Sequence, residues 1–405
     1  GRWYWYRFAA LGARSAVGRA RTAPAPDANE PLAFAIASCQ RWDHGHYAAW
    51  RDAAESPLDL VLFLGDYIYE YASPPGRVRR HAGGECFTLA DYRERHAQYK
   101  SDPLLQRAHR HAPWIMVWDD HEVQNDYAGD QGQQPDDRDA FLARRGAAYQ
   151  AYWEHLPLPK SARPRGSAAR IFERYDWGRL ARIHALDDRQ YRDHQACPRP
   201  GRGGSNTVWL NDCPALADPK RSLLGAAQER WLADGWSREQ RWNLLAQQTL
   251  MARLSWRDHR AGSGPMVWTD GWDGYPAARR RLLEGIAERH IDNVVVLGGD
   301  VHANVVADLK ADFDDARSPV LASEFCGTSI SSQGAAQSRL DAALPYNPHL
   351  RYARSDERGY VRFTLDAGAL RAELRAVEHP LDPASPVRSA ARFVVASGLA
   401  GAERA

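Results

Sequence analysis

Six short, continuous apolar runs restrict the fold of this sequence more than any other feature. Each run is four to seven residues long, and segments with helical spacing lie between the runs. Apolar runs without alternation are typical of strands covered on both faces, as in layered α/β proteins. The sequence therefore predicts an α/β core. The apolar runs are residues 32–37, 60–64, 114–118, 180–186, 243–246 and 294–297, and the helical segments are residues 89–100, 104–111, 139–153, 224–232 and 277–289.

The length and charge of the chain exclude several classes of protein. Its 405 residues allow one large α/β domain or two to three smaller ones. The formal net charge is +2 at pH 7, so no overall field would hold the chain on a nucleic acid or an anionic membrane. No apolar run approaches the roughly 18 residues that span a bilayer. We therefore expect no nucleic-acid partner and no transmembrane segment, and any phosphate chemistry must come from a local site.

The two ends of the chain differ in character from its middle. Residues 1–8 alternate aromatic side chains as a strand does, and residues 20–31 are rich in Pro and Ala, as linkers are. The first residue is Gly1, so we expect that a leader has been removed and that the protein is secreted, periplasmic or on the surface of a bacterial cell. The expected division is a strand and linker at residues 1–30, a main domain at residues 31–383 and a frayed C-terminal extension at residues 384–405.

The five cysteines leave one pairing open. Cys197 and Cys213 flank a loop rich in Gly, Pro, Asn and Asp, so a disulfide there is plausible in an oxidising compartment. The spacing does not decide between a disulfide and two free thiols. An odd number of cysteines leaves at least one unpaired.

Clusters of polar residues follow four of the apolar runs, where the strands are expected to end. Open α/β sheets bind ligands at the carboxyl ends of their strands, and a compact sheet could bring these loops to one edge. The clusters are residues 38–40 (SCQ), residues 65–70 (GDYIYE), residues 119–122 (DDHE) with Asn125 and Asp126, and residues 298–302 (GGDVH).

These clusters combine two kinds of metal ligand. Thiolate, phenolate and imidazole groups suit Fe³⁺, whereas carboxylate and amide oxygens suit Ca²⁺, Mg²⁺ or Mn²⁺. Each residue taken singly has a simpler explanation than metal binding. An aspartate after a strand is more often a turn residue, Cys39 alone is more often a buried apolar residue, and His302 alone could be an ordinary histidine. The three acidic residues within residues 119–122 repel one another unless solvent or cations neutralise them. Together the clusters predict two or more metals that share a carboxylate.

The same segments resemble the PhoD-like alkaline phosphatases and phosphodiesterases of the calcineurin-like metallophosphoesterase class. The similar motifs occur in family order over residues 32–332. The resemblance implies a four-layer fold in which two mixed sheets are flanked by helices, with metals at the strand ends, preceded by a short remnant of an N-terminal β-domain. The motifs are SCQ, GDYIYEY, WDDHE with Asn125, GDVH, DRQYR, LGAAQERWL, WNLLAQQ, WDGYP and EFCGTSISS.

The resemblance also implies an iron site. Asp66 would bridge two metals, and Cys39, Tyr69 and His302 would hold Fe³⁺ together with it. Tyrosinate and thiolate ligands stabilise the ferric state, so this iron would act as a Lewis acid.

A second metal and a catalytic histidine are implied beside the iron. Asp120, Asn125 and Asp300 would hold a metal of lower charge, Ca²⁺ in this family, with Mg²⁺, Mn²⁺ or Zn²⁺ as alternatives. His121 would contact the substrate and protonate the leaving group. The resemblance does not decide between Asp119 and Asp120 as the ligand.

The expected function is hydrolysis of phosphomonoesters, phosphodiesters or both by a metal-activated water. Paired metals lower the pKa of bound water and clamp phosphoryl oxygens, while Asp66 and His121 would carry the catalysis. An iron-dependent oxidoreductase and a non-catalytic metal- or phosphate-binding protein remain alternatives, although no second cofactor motif supports the former.

The substrate and the oligomeric state stay open at this point. The substrate could be a small-molecule or a polymeric phosphate ester. We expect the loops at residues 72–88, 195–216 and 256–272 to shape the pocket that chooses between them.

Overall fold

The computed structural model describes residues 1–134, 137–259 and 262–405. Within these residues, no helix is long and apolar enough to cross a membrane. All five predicted helical segments are confirmed, with ends that move by one or two residues, and two short helices were not predicted. The helices are α1 (Ala48–Glu55), α2 (Leu89–Lys100), α3 (Pro103–His111), α4 (Arg138–His155), α5 (Gly225–Ala233), α6 (Pro276–Glu288) and α7 (Gln337–Ala343).

Twenty strands are assigned in the described residues. They are β1 (Trp3–Tyr6), β2 (Ala9–Ala10), β3 (Ala13–Arg14), β4 (Gly18–Arg21), β5 (Leu32–Ala37), β6 (Leu60–Leu64), β7 (Trp114–Val117), β8 (Glu173–Trp177), β9 (Ala181–Ala185), β10 (Thr207–Trp209), β11 (Trp242–Ala246), β12 (Met266–Trp268), β13 (Val294–Gly298), β14 (Asn304–Lys310), β15 (Val320–Cys326), β16 (Leu350–Arg354), β17 (Arg358–Leu365), β18 (Ala369–Val377), β19 (Val387–Ala396) and β20 (Glu403–Arg404).

Most of these strands belong to two seven-stranded mixed sheets. Sheet I has the strand order β20-β19-β18-β17-β5-β6-β7, and sheet II has the order β16-β14-β15-β13-β11-β9-β8. Strands β5, β6 and β7 are parallel to one another, as are β9, β11, β13 and β15. The prediction of an α/β fold with mixed sheets is therefore confirmed.

The six predicted strands are β5, β6, β7, β9, β11 and β13, and all lie in the parallel regions of the two sheets. Every residue of β6, β11 and β13 is buried, which is why these strands appear in the sequence as continuous apolar runs. Strands β14–β19, which are antiparallel except for the parallel pairing of β15 with β13, were not predicted. Several of them place charged side chains on a partly exposed face, so their sequences lack an unbroken apolar run.

Aromatic side chains join the two sheets in one core. Phe363 on sheet I stacks on Phe34 of the same sheet, with ring centroids 4.7 Å apart, and meets Phe325 of sheet II edge-on at 5.4 Å. A second core packs α5, α6 and α7 against sheet II through residues such as Leu232, Leu283 and Leu340. The two cores fix the strands of both sheets, and hence the strand ends.

The N-terminal strand is confirmed, but the linker begins later than predicted. Strand β1 pairs with β4 in an antiparallel ribbon, so Ala20 and Arg21 belong to a strand. The aromatic strand at residues 3–6 is stabilised by side-chain pairs across this ribbon. The domain division at residues 30 and 31 stays a prediction.

The prediction of a frayed extension at residues 384–405 is wrong. Strand β19 lies within it and pairs with β18 along nine residues, and β20 then pairs with β19. Phe393 and Val395 of β19 are each 1% exposed and belong to the main core. The less buried Arg392 and Val394 alternate with the buried Ala391, Phe393 and Val395, and such alternation marks a half-buried strand.

We expect Phe393→Ala to lower the free energy of unfolding by about 3–5 kcal/mol, because it removes a buried ring that contacts Phe325 and Tyr352. Arg392→Ala is the matched control. Arg392 is the neighbouring residue on the exposed face of β19, and its ion pair with Glu373 is worth at most about 1 kcal/mol. Urea titration followed by tryptophan fluorescence measures both variants. Equal, small effects would mean that β19 does not belong to the core.

Candidate metal centre and active site

The strand ends of both sheets meet at one edge of the molecule. In sheet I, the backbone N–H of Cys39 after β5 donates to the carbonyl of Gly65 after β6, at 3.1 Å. The indole of Trp118 after β7 donates to Asp187 after β9, at 3.1 Å, and so joins sheet I to sheet II. The polar clusters predicted at these ends are therefore neighbours in space, as the strand-end rule requires.

Two glycines allow this close approach. A Cβ added at Gly65 would lie 2.4 Å from the Cβ of Asp119, and one added at Gly299 would lie 2.4 Å from the hydroxyl of Ser38. Gly65 also has φ +108°, a conformation that favours glycine. The chain can thus turn sharply after β6 and β13 and present the next side chain to the site.

The residues after these turns adopt an uncommon backbone conformation. Cys39, Asp66, Asp300 and His302 have φ values of +58°, +58°, +65° and +53°. Non-glycine residues with positive φ are uncommon and persist where the surrounding structure fixes them, often at functional sites. Four of the seven residues predicted as ligands thus share one unusual backbone geometry.

The first candidate ligand group contains a sulfur, a carboxylate and an imidazole. Ligand atoms of Cys39, Asp66 and His302 lie within 4.8 Å of one another. The hydroxyl of Tyr69 donates to Asp66 at 2.8 Å and lies 3.2 Å from Nε2 of His302. Nδ1 of His302 donates to the carbonyl of Gln333 at 2.8 Å, which leaves Nε2 as the nitrogen that faces the group.

The second and third candidate groups share residues with the first. Asp66, Asp120 and His121 lie within the same 4.8 Å limit, as do Asp119, Asp120 and Asp300. Asp66 therefore belongs to two groups, and Asp120 connects the second group to the third. This chain of shared carboxylates is the arrangement that two neighbouring metals require.

The carboxylates after β7 have different partners. Asp119 forms an ion pair with the buried guanidinium of Arg189, whereas Asp120 has Arg189 only at 3.5 Å. Glu122 accepts hydrogen bonds from the backbone N–H groups of Asp66, Tyr67 and Asp119, at 3.1, 2.6 and 2.8 Å. Glu122 thus ties the β6 turn to the β7 turn and is a structural residue.

His121 is oriented by a residue that the sequence did not single out. Its Nδ1 donates to the buried carboxylate of Glu70 at 2.7 Å, and its ring lies 4.1 Å from that of Tyr69. The second oxygen of Glu70 accepts the backbone N–H of Asn125 at 2.7 Å. Burial alone would lower the pKa of His121, but the carboxylates of Glu70, Asp120 and Asp66 raise it well above its usual range.

Asn125 lines the same cavity as the other predicted residues, and its neighbour Asp126 forms a further group with Asp120 and Asp270. Asp270 accepts from Arg192 at 2.8 Å and also pairs with Arg189 at 2.7 Å. Asp270 follows the short strand β12, in the loop at residues 256–272 for which no individual residue was predicted.

Arg189 and Arg192 could have been found from the sequence. The DRQYR segment follows an apolar run, so it meets the same strand-end criterion as the four clusters that were chosen. Glu70 lies inside a chosen cluster but was given no role.

The donor set fits cations. Burial raises the pKa of the Asp66 and Asp300 carboxyl groups well above their usual range, and the carboxylates of Asp119 and Asp120 add to this shift. Burial also lowers the pKa of His302 to about 3, so its imidazole is neutral, as a metal ligand must be. Buried oxygens of Asp120 and Asp300 have no hydrogen-bond partner in the described residues. A cation among these groups would supply the missing partner and favour the charged carboxylates.

A cavity of about 380 Å³ opens over these residues. It has the size of a small-molecule pocket. Two of the three loops expected to shape it contribute, through Thr207, Trp256, Trp268 and Trp272. The described lining includes no residue of the loop at residues 72–88, and residues 260–261 of the third loop lie outside the described residues.

A mixed α/β fold with clustered carboxylate, imidazole and thiol groups at its strand ends is the architecture of a metal-dependent hydrolase. Comparison with known proteins identifies the family. A model of the PhoD-like phosphatases matches residues 34–374. The chain belongs to the PhoD-like phosphatase family, and the resemblance described above is confirmed.

Individual relatives agree with this assignment. The chain is 42% identical to alkaline phosphatase D of Bacillus subtilis over 401 residues, which is 96% of this chain and 67% of that protein. A solved structure of PhoD matches the whole chain with a TM-score of 0.93 and 41% identity, and the match covers 77% of that structure. A purple acid phosphatase from yellow lupin seeds matches 95% of the chain and 57% of the lupin protein, with a TM-score of 0.54 and 12% identity, and shares the fold.

The predicted activity is confirmed at the level of the family. The chain is a phosphoric ester hydrolase, and the family is metal-dependent. The candidate ligand groups described above agree with that dependence.

Proposed function

We propose that the chain hydrolyses phosphate monoesters, diesters or both at two metals bridged by Asp66. The observation that carries this proposal is the position of the Asp66 carboxylate, which belongs both to the group with Cys39 and His302 and to the group with Asp120 and His121. A bridging carboxylate is the ligand that holds two metals at the short separation used in phosphoryl transfer.

The two sites differ in ligand chemistry, which supports different metals. Cys39, Tyr69 and His302 would hold Fe³⁺ together with Asp66, because thiolate, phenolate and imidazole favour that ion. The bound metals would generate the nucleophile and neutralise the phosphate. Neither metal is identified by the comparisons.

The second site has oxygen ligands. Asp120, Asn125 and Asp300 would hold Ca²⁺ together with Asp66, with Mg²⁺, Mn²⁺ or Zn²⁺ as alternatives. The exposure of Asn125 to the same cavity supports its place in this set. We favour Asp120 over Asp119 because the Asp119 carboxylate already has Arg189 as its partner.

His121 is the proposed general acid. Its Nδ1 is held by Glu70, so Nε2 is the nitrogen available to a ligand in the cavity. The imidazolium, favoured by the surrounding carboxylates, would donate its proton to the departing oxygen, and Glu70 would hold the ring in place while the proton moves.

Two features of the fold are also part of this proposal. The two sheets and their helices would form four layers, and residues 1–30 would be the remnant of a β-domain that precedes the main domain. The helices α5–α7 on sheet II and the core shared by the two sheets support the layered arrangement.

We expect Asp66→Asn to lower the metal content of both sites together. It should also reduce turnover by a larger factor than the loss of a general acid, which typically costs about 10²- to 10⁴-fold. The measurement is metal analysis of the purified variant beside hydrolysis of a chromogenic aryl phosphate. A chelator should abolish wild-type activity, and added metal should restore it. Activity that survives complete metal removal would contradict the proposal.

His121→Ala belongs to the same experiment. It should retain full metal content and lose turnover by about 10²- to 10⁴-fold on alkyl phosphates, but far less on the aryl phosphate, whose leaving group needs no proton. His379→Ala, an exposed histidine outside the cavity, is the control. Equal losses on both substrates would assign His121 a ligand or structural role.

The iron assignment predicts a coloured protein. Thiolate and phenolate ligands to Fe³⁺ give charge-transfer absorption in the visible range, so Cys39→Ser should shift or bleach the band. Cys326→Ser, at another buried free cysteine, should leave the band in place. A colourless, active enzyme that contains only zinc would contradict the iron assignment.

We also propose that the protein is exported. Cys197 and Cys213 form a disulfide in the structure, which resolves the pairing that the sequence left open. Disulfides persist in oxidising compartments and are rare in the cytosol. This bond supports a secreted, periplasmic or cell-surface location.

Thiol alkylation without prior reduction should modify three cysteines at most in the unfolded protein, and five after reduction. Intact mass spectrometry counts them. Cys197→Ser is the control, because it should free the thiol of Cys213. Five alkylated thiols in the unreduced protein would remove the support for export.

A further inference from the structure

The cavity over the candidate metal centre has two chemically different parts. One part is formed by the proposed ligands and His121. The other part is mostly apolar, and its lining includes Leu250, Leu254, Trp256, Trp268, Trp272 and Leu340, with the hydroxyl residues Thr207, Thr249 and Ser355 among them. A cavity that served inorganic phosphate alone would need only the first part.

The apolar part is continuous with the core of the molecule. The second core, which packs α5, α6 and α7 against sheet II, contains Leu250, Leu254, Trp272 and Leu340. Trp256 is partly buried and packs against this core. The surface they present to the cavity is therefore a fixed face of that core.

The loop that carries Leu250, Leu254 and Trp256 is held at several points. The carboxylate of Glu324 accepts the backbone N–H groups of Met251 and Ala252, at 2.6 and 2.7 Å. Asp273 accepts the N–H of Leu254 at 2.9 Å. Such anchoring preorganises a binding surface, so little conformational entropy is lost when a ligand is bound.

The charged residues near this surface are already occupied. Asp273 pairs with Arg279 at 2.6 Å and accepts the N–H of Leu254. Arg339 on α7 is exposed, and its guanidinium lies 4.4 Å from the centre of the Trp256 ring, a cation–π contact that holds the indole in place. The surface itself therefore offers aliphatic and aromatic carbon to a ligand.

We propose that this apolar surface binds the organic group of the substrate, so that the enzyme prefers phosphate esters whose organic group is apolar over those whose organic group is polar. The inference rests on the proposed function, because the phosphate must lie at the candidate metal centre while the organic group extends along the apolar surface. Each methylene buried there would raise kcat/KM by up to about fourfold until the surface is filled.

Straight-chain alkyl phosphates from methyl to octyl test this proposal. Their leaving groups have nearly the same basicity, so a change in kcat/KM with chain length measures binding of the chain and not the ease of bond cleavage. Phosphates of oligo(ethylene glycol) chains of equal length are the polar control. The expected result is a rise in kcat/KM along the alkyl series and a flat response along the glycol series.

Variants locate the effect. Trp256→Ala should flatten the dependence on chain length, whereas Trp153→Ala, at a partly buried tryptophan on α4 outside the cavity, should retain the wild-type slope. Arg339→Gln changes an exposed residue and preserves the fold. It should weaken the dependence of kcat/KM on chain length, because the indole of Trp256 loses its cation–π partner. This second variant keeps the test valid if Trp256→Ala does not fold.

The outcomes separate this inference from the proposed function. A wild-type enzyme that hydrolyses the alkyl and glycol series equally well overturns the apolar subsite alone. A slope that survives in both Trp256→Ala and Arg339→Gln overturns the assignment to this surface. An enzyme that hydrolyses no monoester of either series and no diester of the same alcohols overturns the proposed function itself.

Discussion

The crowding of buried carboxylates around Asp66 is the constraint on which the rest of the structure depends. Asp66, Asp119, Asp120 and Asp300 lie at one edge of two sheets, and Arg189 is the buried cation that pairs directly with the group. Arg189 and a protonated His121 would offset only part of the charge of four buried carboxylates, and each uncompensated charge costs several kcal/mol of desolvation. Bound cations would complete the electrostatic balance, and the same cations are what the proposed chemistry needs.

The backbone conformation at the strand ends brings these carboxylates together. Positive φ values after β5, β6 and β13 turn the ligand side chains inward, and Gly65 and Gly299 let the turns approach one another. Glu122 gives its two oxygens to three backbone N–H groups and holds the turns of β6 and β7 together. The hydrogen bonds of Glu122 and the packing of the two cores thus hold these turns in their uncommon backbone conformation.

The sequence allowed the parallel strands and most of the candidate site to be predicted, because both leave local patterns. Unbroken apolar runs predicted β5, β6, β11 and β13. The polar residues that follow three of these runs include Cys39, Asp66 and Asp300, which were predicted as ligands. Strand β19 was misjudged because its buried residues alternate with exposed or half-buried ones. Asp270 and the tryptophans of the cavity lie in the loop at residues 256–272 that was expected to shape the pocket, but no role could be assigned to any of them singly, because their contacts join distant segments, which no local pattern records.

We propose that cations that share Asp66 as a ligand balance the buried carboxylates. Anomalous X-ray diffraction from crystals of the purified protein shows whether these cations are present. We expect two peaks that share Asp66, with the peak beside Cys39 and Tyr69 showing the iron absorption edge. An active protein whose crystals show no anomalous peak at Asp66, or one peak bound elsewhere, would contradict the account.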